Sequence, residues 1–303
     1  MADAVLRPVP VHRDGADGID TSGPGIMLPG MKETFHSARP ELADPRAFLA
    51  RAAGDLRASG FVAWHLFRAN LRARHRRTLL GYLWLLLPAA LATGICAYLQ
   101  SRRIIAVAPT DLPYPLYVLC GVLMWQVFVD ALNAPLQQLW GSRQLIARSH
   151  LPHEAVVLGG VFEVGLNAGV RFLVLVAALF VFGFVPGWSV LMVPLGMVAL
   201  ALLGFVLGLA VAPMGMLYDD VRHAVVLIAS FWFFLTPVIY PTPESGLVRL
   251  NPVTPLLETT RSWIIAPGLG EGFAMVVGCA LLGLVGTWLV YRLARPHLVE
   301  RLG

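Results

Sequence analysis

Apolar residues fall in long blocks along this chain, well beyond the short periodic runs of a soluble core. A helix crosses the hydrocarbon core of a membrane with about 20 apolar residues. Residues 79–99 meet that length without a charge, and 113–136 follow with Asp130 as the single acid. Residues 155–185 form a longer block that carries Glu163 and Arg171. Residues 190–218 and 224–243 carry no charge, and 272–291 close the series. The pattern predicts an all-α integral membrane protein with six transmembrane helices, and an even number of crossings puts both ends on one side. Pro88, Pro194, Pro213 and Pro237 are expected to bend or end their helices, as membrane spans tolerate.

The polar stretches between these blocks give a direction. Arg57, Arg68, Arg72, Arg74, Arg76 and Arg77 precede the first block, and Arg143, Arg148, Arg222, Arg292, Arg295 and Arg301 fall on the same side. The opposite side holds only Arg102, Arg103, Arg249 and Arg261. Positive loops stay inside, so both termini are expected in the cytoplasm. Residues 1–52 are polar and rich in Gly, Pro, Asp and Arg, which suits a disordered cytoplasmic tail with no cleavable signal peptide. Residues 53–78 read as a helix lying on the membrane surface, ahead of a membrane domain over 79–303. Phe61, Trp64, Phe67 and Leu71 recur on one side of it, flanked by Arg68, Arg72 and Arg76. A plain basic anchor beside the membrane is the simpler alternative. Residues 247–270, on the outer side, mix Leu250, Val253, Leu256, Leu257, Trp263 and Ile264 with Arg249, Glu258 and Arg261. That mixture suits short amphipathic helices dipping into the interface rather than a seventh span.

Composition agrees and removes other classes. Hydrophobic residues make up 57% of the 303 residues and charged ones only 14%, too few to clothe a soluble domain of this size. The net charge of +5 comes almost wholly from arginine, since Lys32 is the single lysine, and it sits beside apolar runs as a membrane anchor would. Cys96, Cys120 and Cys279 lie in apolar segments without His or Cys at ligand spacing, so neither a disulfide framework nor a zinc site is expected. The nearest approach to a phosphate-binding loop, 25–34, has Met31 where the lysine is needed and Glu33 after Lys32. ATP, if it drives this protein, binds another chain. There is no G-x-S-x-G elbow, and His150, His153 and His223 lie in loops away from any buried nucleophile. Asp219, Asp220, Arg222 and His223 read as a solvated turn in preference to a metal site.

Five pieces, in order, carry a family resemblance. A basic cluster runs straight into a first span as RRTLLGYLW, 76–84, and the second span opens YPLYVLCGVLMWQVF, 114–128. LIARSHLP follows at 145–152, LTPVIYP ends the fifth span at 235–241, and NPVTPLLE lies in the outer loop at 251–258. The chain from about Arg57 onward resembles the membrane subunits of type-2 ABC exporters, in the branch that exports O-antigen, capsule and teichoic acid. It departs from the family pattern at Leu87, where glutamine often precedes the proline of the first span. The resemblance implies a homodimer served by two copies of a separate ATPase, with ATP and Mg bound there and no cofactor or catalytic site on this chain. The substrate it implies is a lipid-linked polysaccharide. A type-2 exporter for a drug or lipid and a small secondary carrier are the alternatives. By position, Leu145, Ile146, Arg148, His150, Leu151, Pro152, His153 and Glu154 resemble the helix that couples to the ATPase. Phe61, Trp64, Phe67, Arg68, Arg72 and Arg76 resemble the interface helix, and 247–270 the periplasmic re-entrant helices.

Transport chemistry suggests further positions. Sugar C–H faces stack on aromatic rings and can slide across them, which makes Tyr82, Trp84, Tyr117, Trp125, Phe128, Phe231, Trp232, Phe234 and Tyr240 candidates for a channel wall. Membrane proteins also carry Trp and Tyr in ordinary interfacial belts. Charges at depth are costly and face a partner or cavity. Glu163 and Arg171 stand eight residues apart, about 12 Å of helix rise, and cannot pair. For Arg171 the candidates are Asp130 on the second span, a carboxylate across a dimer, the interface, or phosphate on the lipid carrier in a channel. Gly165-x-x-x-Gly169 and Gly204-x-x-x-Gly208 are expected to allow close helix approach.

Overall fold

The structure, a computed structural model, describes residues 54, 59–72, 83–104, 109–143, 153–185, 187–242 and 246–302, with backbone only for 247 and 295–302. The described residues are helical wherever they are regular. Residues 59–72 form α1, followed by α2 (Leu83–Ser101), α3 (Tyr114–Gly141) and α4 (His153–Val181). A short 3₁₀ turn, Trp188–Met192, leads into α5 (Val193–Leu217). Then come α6 (Asp219–Leu235), α7 (Leu247–Leu250), α8 (Val253–Ser262) and α9 (Phe273–Leu302).

Five of these elements are long and apolar enough to cross a membrane: α2, α3, α4, the 3₁₀ turn with α5, and α9 up to Ala294. The chain is a multi-pass membrane protein. The block at 224–243, expected as a full span, is built differently. Its helix α6 is 17 residues long, starts on Asp219 and Asp220, and stops at Leu235, two residues before Pro237. The two aspartates favour a helix start, because the exposed N–H groups there carry partial positive charge. Within 247–270 the structure has two short helices, α7 and α8, at 4 and 10 residues too short to span.

Helix α3 is the centre of the fold. It packs on α2, α4, α5, α6 and α8, and α5 in turn packs on α9 and α8. Sequence explains the closest of these contacts. A Cβ on Gly204 would run into the Phe128 carbonyl and one on Gly208 into the Leu132 carbonyl, so this pair lets α5 lie directly on the α3 backbone. Gly196 meets Thr260 of α8 in the same way. Gly165 and Gly169 make no such approach within the protomer: a Cβ on either would meet no other part of it within 4 Å. They face an apolar groove of about 650 Å³ between α4, α5 and α9, lined also by Ala168, Phe172, Ala201 and Trp288. Gly183, at φ +70°, ends α4 in the left-handed conformation, and the Phe184 N–H closes the turn on the Leu179 carbonyl at 2.9 Å. Pro194 stands in the first turn of α5, where its missing N–H costs nothing. Pro88 and Pro213 lie inside α2 and α5.

Candidate functional site

Two of the sequence pieces read above, at 235–241 and 251–258, meet in space at the end of α6. Where a helix stops, its last carbonyls lose their partners, and water cannot replace them at membrane depth. Here side chains replace them. Asn251 donates from Nδ2 to the Leu235 carbonyl at 3.2 Å and to Thr236 Oγ1 at 2.8 Å. Its Oδ1 accepts from the Trp232 indole N–H at 3.1 Å and from the Val253 N–H at 3.0 Å. Arg261 of α8 donates to the Pro237 carbonyl through both terminal nitrogens at 3.3 Å and to the Val238 carbonyl at 2.9 Å. The hydroxyls of Tyr114 and Tyr117, on α3, donate to the Ile239 and Tyr240 carbonyls at 3.2 and 3.1 Å. A buried carbonyl left open costs about 1–3 kcal/mol, so a chain break of this kind persists only with such partners. Gly121 makes the room: a Cβ there would strike the Val238 carbonyl and the Arg261 guanidinium.

Beneath this break lies an aromatic nest. Trp125 packs on Phe128 and Phe233, and Phe128 on Trp232, with ring centres 5.1, 5.8 and 5.4 Å apart. Of the rings named as channel candidates, Tyr117, Trp125 and Phe128 are buried inside the protomer, and Trp232 and Tyr240 are half-buried. Trp84, Phe231 and Phe234 are exposed, at 58%, 64% and 66%. Tyr82 lies outside the described residues.

A second polar group sits between α3 and α4. Arg171 is buried and pairs with Asp130, Nη1 to Oδ2, at 2.7 Å. Its Nε donates to Gln126 Oε1 at 3.2 Å, and Asn167 donates to the same Asp130 oxygen at 3.1 Å. Glu163, one step down the interface, accepts from Gln138 at 2.9 Å. Among the four partners that the sequence left open for Arg171, the structure selects Asp130.

The turn between α5 and α6 has its own arrangement, ahead of the apolar stretch of α6. The Trp140 indole donates to Asp219 at 2.8 Å, and Arg222 pairs with the same carboxylate at 2.9 Å while stacking on the Trp140 ring at 3.7 Å. The Trp140 hydrogen bond and the Arg222 charge hold the Asp219 carboxyl below the usual carboxylate range. Asp219 is therefore engaged by protein groups.

The two expected coupling elements are placed in part. Leu145, Ile146, Arg148, His150, Leu151 and Pro152 lie outside the described residues. His153 and Glu154 open α4 and are buried, and His153 Nδ1 lies 2.9 Å from the Tyr291 hydroxyl of α9. In α1, Phe67 is buried, and the Trp64 and Phe67 rings lie 5.7 and 6.0 Å from Phe162 of α4. Phe61 is exposed with Arg68 and Arg72. Arg76 lies outside the described residues.

Sequence reasoning missed Arg261 and Asn251 as structural partners. Arg261 was one of four charges on the expected outer side, and Asn251 one letter of a motif. Arg261 stands beside Glu258, Thr259 and Thr260 in a mixed stretch, so no local signal set it apart as the donor for distant carbonyls.

No protein-family model matches the chain. The chain is similar to curated proteins over most of its length. It is 26% identical over 207 residues to the O-antigen export system permease protein RfbA of Myxococcus xanthus, covering 65% of this chain and 77% of that protein. It is 24% identical over 201 residues to the protein of the same name from Klebsiella pneumoniae, covering 63% and 75%. Against the polysialic acid transport protein KpsM of Escherichia coli it is 20% identical over 220 residues, covering 69% and 83%.

Proposed function

We propose that this chain, a homologue of O-antigen and polysialic acid export permeases, is the membrane-spanning subunit of an ATP-driven exporter that moves a lipid-linked polysaccharide across the cytoplasmic membrane. The single observation that carries this reading is the similarity to two differently named polysaccharide permeases across three quarters or more of their lengths. The bonded pair of motifs at the end of α6 supports it, since those motifs first carried the resemblance. ATP and Mg belong to a separate ATPase subunit, and this chain supplies the path.

In this reading the apolar part of α6, from Ala224, and the turns after it make the sixth crossing. Both termini lie in the cytoplasm with the arginine-rich loops. Residues 145–154 take the push of the ATPase, α1 lies along the inner interface, and α7 and α8 re-enter the outer one. Two copies assemble through α2 and α6. Helix α2 buries only Ala89 in the protomer, while Trp84, Leu87, Leu91, Ile95 and Tyr98 form an exposed stripe along it. Trp84 and Phe231 face the path, with Tyr82, Phe234 and Tyr240 beside them. Tyr117, Trp125, Phe128 and Trp232 form the layer behind, and Arg171 fixes the α3 wall.

The test is co-expression with the ATPase encoded beside it, followed by mass measurement and ATP hydrolysis in nanodiscs. A complex of two plus two subunits, and export restored to cells lacking the permease, is the expected result. A chain that purifies alone, ignores every candidate ATPase and still moves a solute is a secondary carrier, and the proposal fails.

A further inference from the structure

Helix α3 is buried on nearly every side, and the exception has a definite chemistry. Between Gln126 and Gly141 the positions not fully buried are Gln126, Val129, Asp130, Asn133, Gln137, Gln138 and Trp140, plus the terminal Gly141. Gln138 points to Glu163 on α4. Gln126, Asp130, Asn133 and Gln137 stand at intervals of four, three and four residues, so they form one stripe on one helix face. Val129 aside, the stripe is polar, in a stretch of helix whose other positions are apolar except Gln138.

Its members keep capacity in reserve. Arg171 and Asn167 both use Oδ2 of Asp130, and among the described residues nothing bonds Oδ1, with the side chain 29% exposed. Gln126 gives Oε1 to Arg171 and keeps its amide N–H groups. Asn133 spends its Nδ2 on the Val129 carbonyl at 2.9 Å and keeps its oxygen, and Gln137 is exposed. The stripe thus offers a carboxylate oxygen, an amide oxygen and amide donors over about 16 Å of helix rise.

Lipid cannot lie against such a face cheaply. Polar side chains within spans face a water-filled cavity or a polar partner, because hydrocarbon satisfies none of their hydrogen bonds. We propose that Gln126, Asp130, Asn133 and Gln137 form a hydroxyl-binding wall of the export path, along which a polyhydroxylated chain slides. This rests on the exporter reading above and names the groups that touch the sugar. A hydroxyl both donates and accepts, so it can meet every group on the stripe. The Asp130 charge is already neutralised by Arg171, so contacts stay weak enough for a moving chain to leave, as conduction requires.

The experiment is thiol labelling on the permease–ATPase complex in inverted membrane vesicles, with the native cysteines replaced by serine or alanine. Asn133→Cys and Gln137→Cys are compared with Leu282→Cys, an exposed apolar position on α9. A membrane-impermeant maleimide is expected to label the two α3 positions and spare Leu282→Cys. Labelling at α3 is expected to slow when vesicles are loaded with the lipid-linked polysaccharide. Asn133→Leu with Gln137→Leu should lower export about tenfold or more, since both changes remove hydrogen-bonding groups from the wall. If the parent complex exports while the α3 cysteines stay unlabelled, or label at a rate that polysaccharide does not change, the wall is elsewhere. If the parent complex binds no ATPase and exports nothing, the exporter reading falls and takes this proposal with it.

Discussion

The Arg261 guanidinium lies over the Tyr117 ring, 3.7 Å from its centre, while its terminal nitrogens hold the Pro237 and Val238 carbonyls. One side chain therefore ties three elements together: helix α8, helix α3 and the broken end of α6. Replacing Arg261 by Leu opens two carbonyls that have no other donor among the described residues. The expected loss is about 2–6 kcal/mol for two buried acceptors at about 1–3 each. A thermal shift of the detergent-purified protein checks it. Arg261→Lys keeps a charge but loses the fork, so it should fall between the parent and Leu. A Leu variant as stable as the parent would show that α6 ends as it does for another reason.

Asp130 and Arg171 give a test with a sign reversal. Arg171→Leu strips a carboxylate of its counter-charge at bilayer depth, and removing one partner of a buried pair costs about 3–5 kcal/mol, less here because Asp130 is partly exposed. Asp130→Asn in the same background removes the stranded charge. The double variant is expected to be more stable than Arg171→Leu alone, measured as folded fraction after extraction. If the second change only adds to the loss, the pair is not the interaction that matters.

How much of this was legible in the sequence depends on the range of the interaction. Helices α2 to α5 and α9 follow from local apolar blocks, whereas the sequence offered Asp130 only as one of four candidates for Arg171, because the choice depends on how α3 and α4 pack. The end of α6 followed in part: Pro237 was expected to bend or end its helix, and the helix stops at Leu235. The partners that hold the freed carbonyls did not follow, because they lie up to 125 residues away in the chain. Tyr117 was read as a ring for sugars, while its hydroxyl serves the backbone of Tyr240. The polar stripe of α3 was invisible for a different reason. Four polar residues scattered through 28 look incidental until the packing of the other faces is known.

The glycines divide into two kinds, and substitution should separate them. Gly208→Val places side-chain atoms against the Leu132 backbone, and backbone cannot yield as a side chain tip would. Overpacking of this kind costs about 1–3 kcal/mol or more. Gly165→Ala meets open space within the protomer, and alanine is the better helix former by about 0.8–1 kcal/mol. Melting temperatures of the two variants should move in opposite directions. A destabilised Gly165→Ala would mean that a second copy or another subunit fills the groove beside α4.

The exposed stripe on α2 bears on assembly. Leu91 and Ile95 lie on it, one helical turn apart, with exposures of 55% and 58%. A stripe of this breadth faces either lipid or a second copy of the chain. If it faces a second copy related by a two-fold axis, each position near the axis meets its own counterpart. Cysteines at Leu91 and Ile95, introduced one at a time with the native cysteines removed, should then form a disulfide-linked dimer under mild oxidation in membranes. Two Cα atoms must come within about 7 Å for that bond to close. Leu173→Cys, equally apolar and 67% exposed on α4, is expected to stay monomeric. Cross-linking at α4 and not at α2 would move the interface to the other side of the protomer. It would also turn Trp84 toward lipid and leave α3 and α6 as the candidate walls.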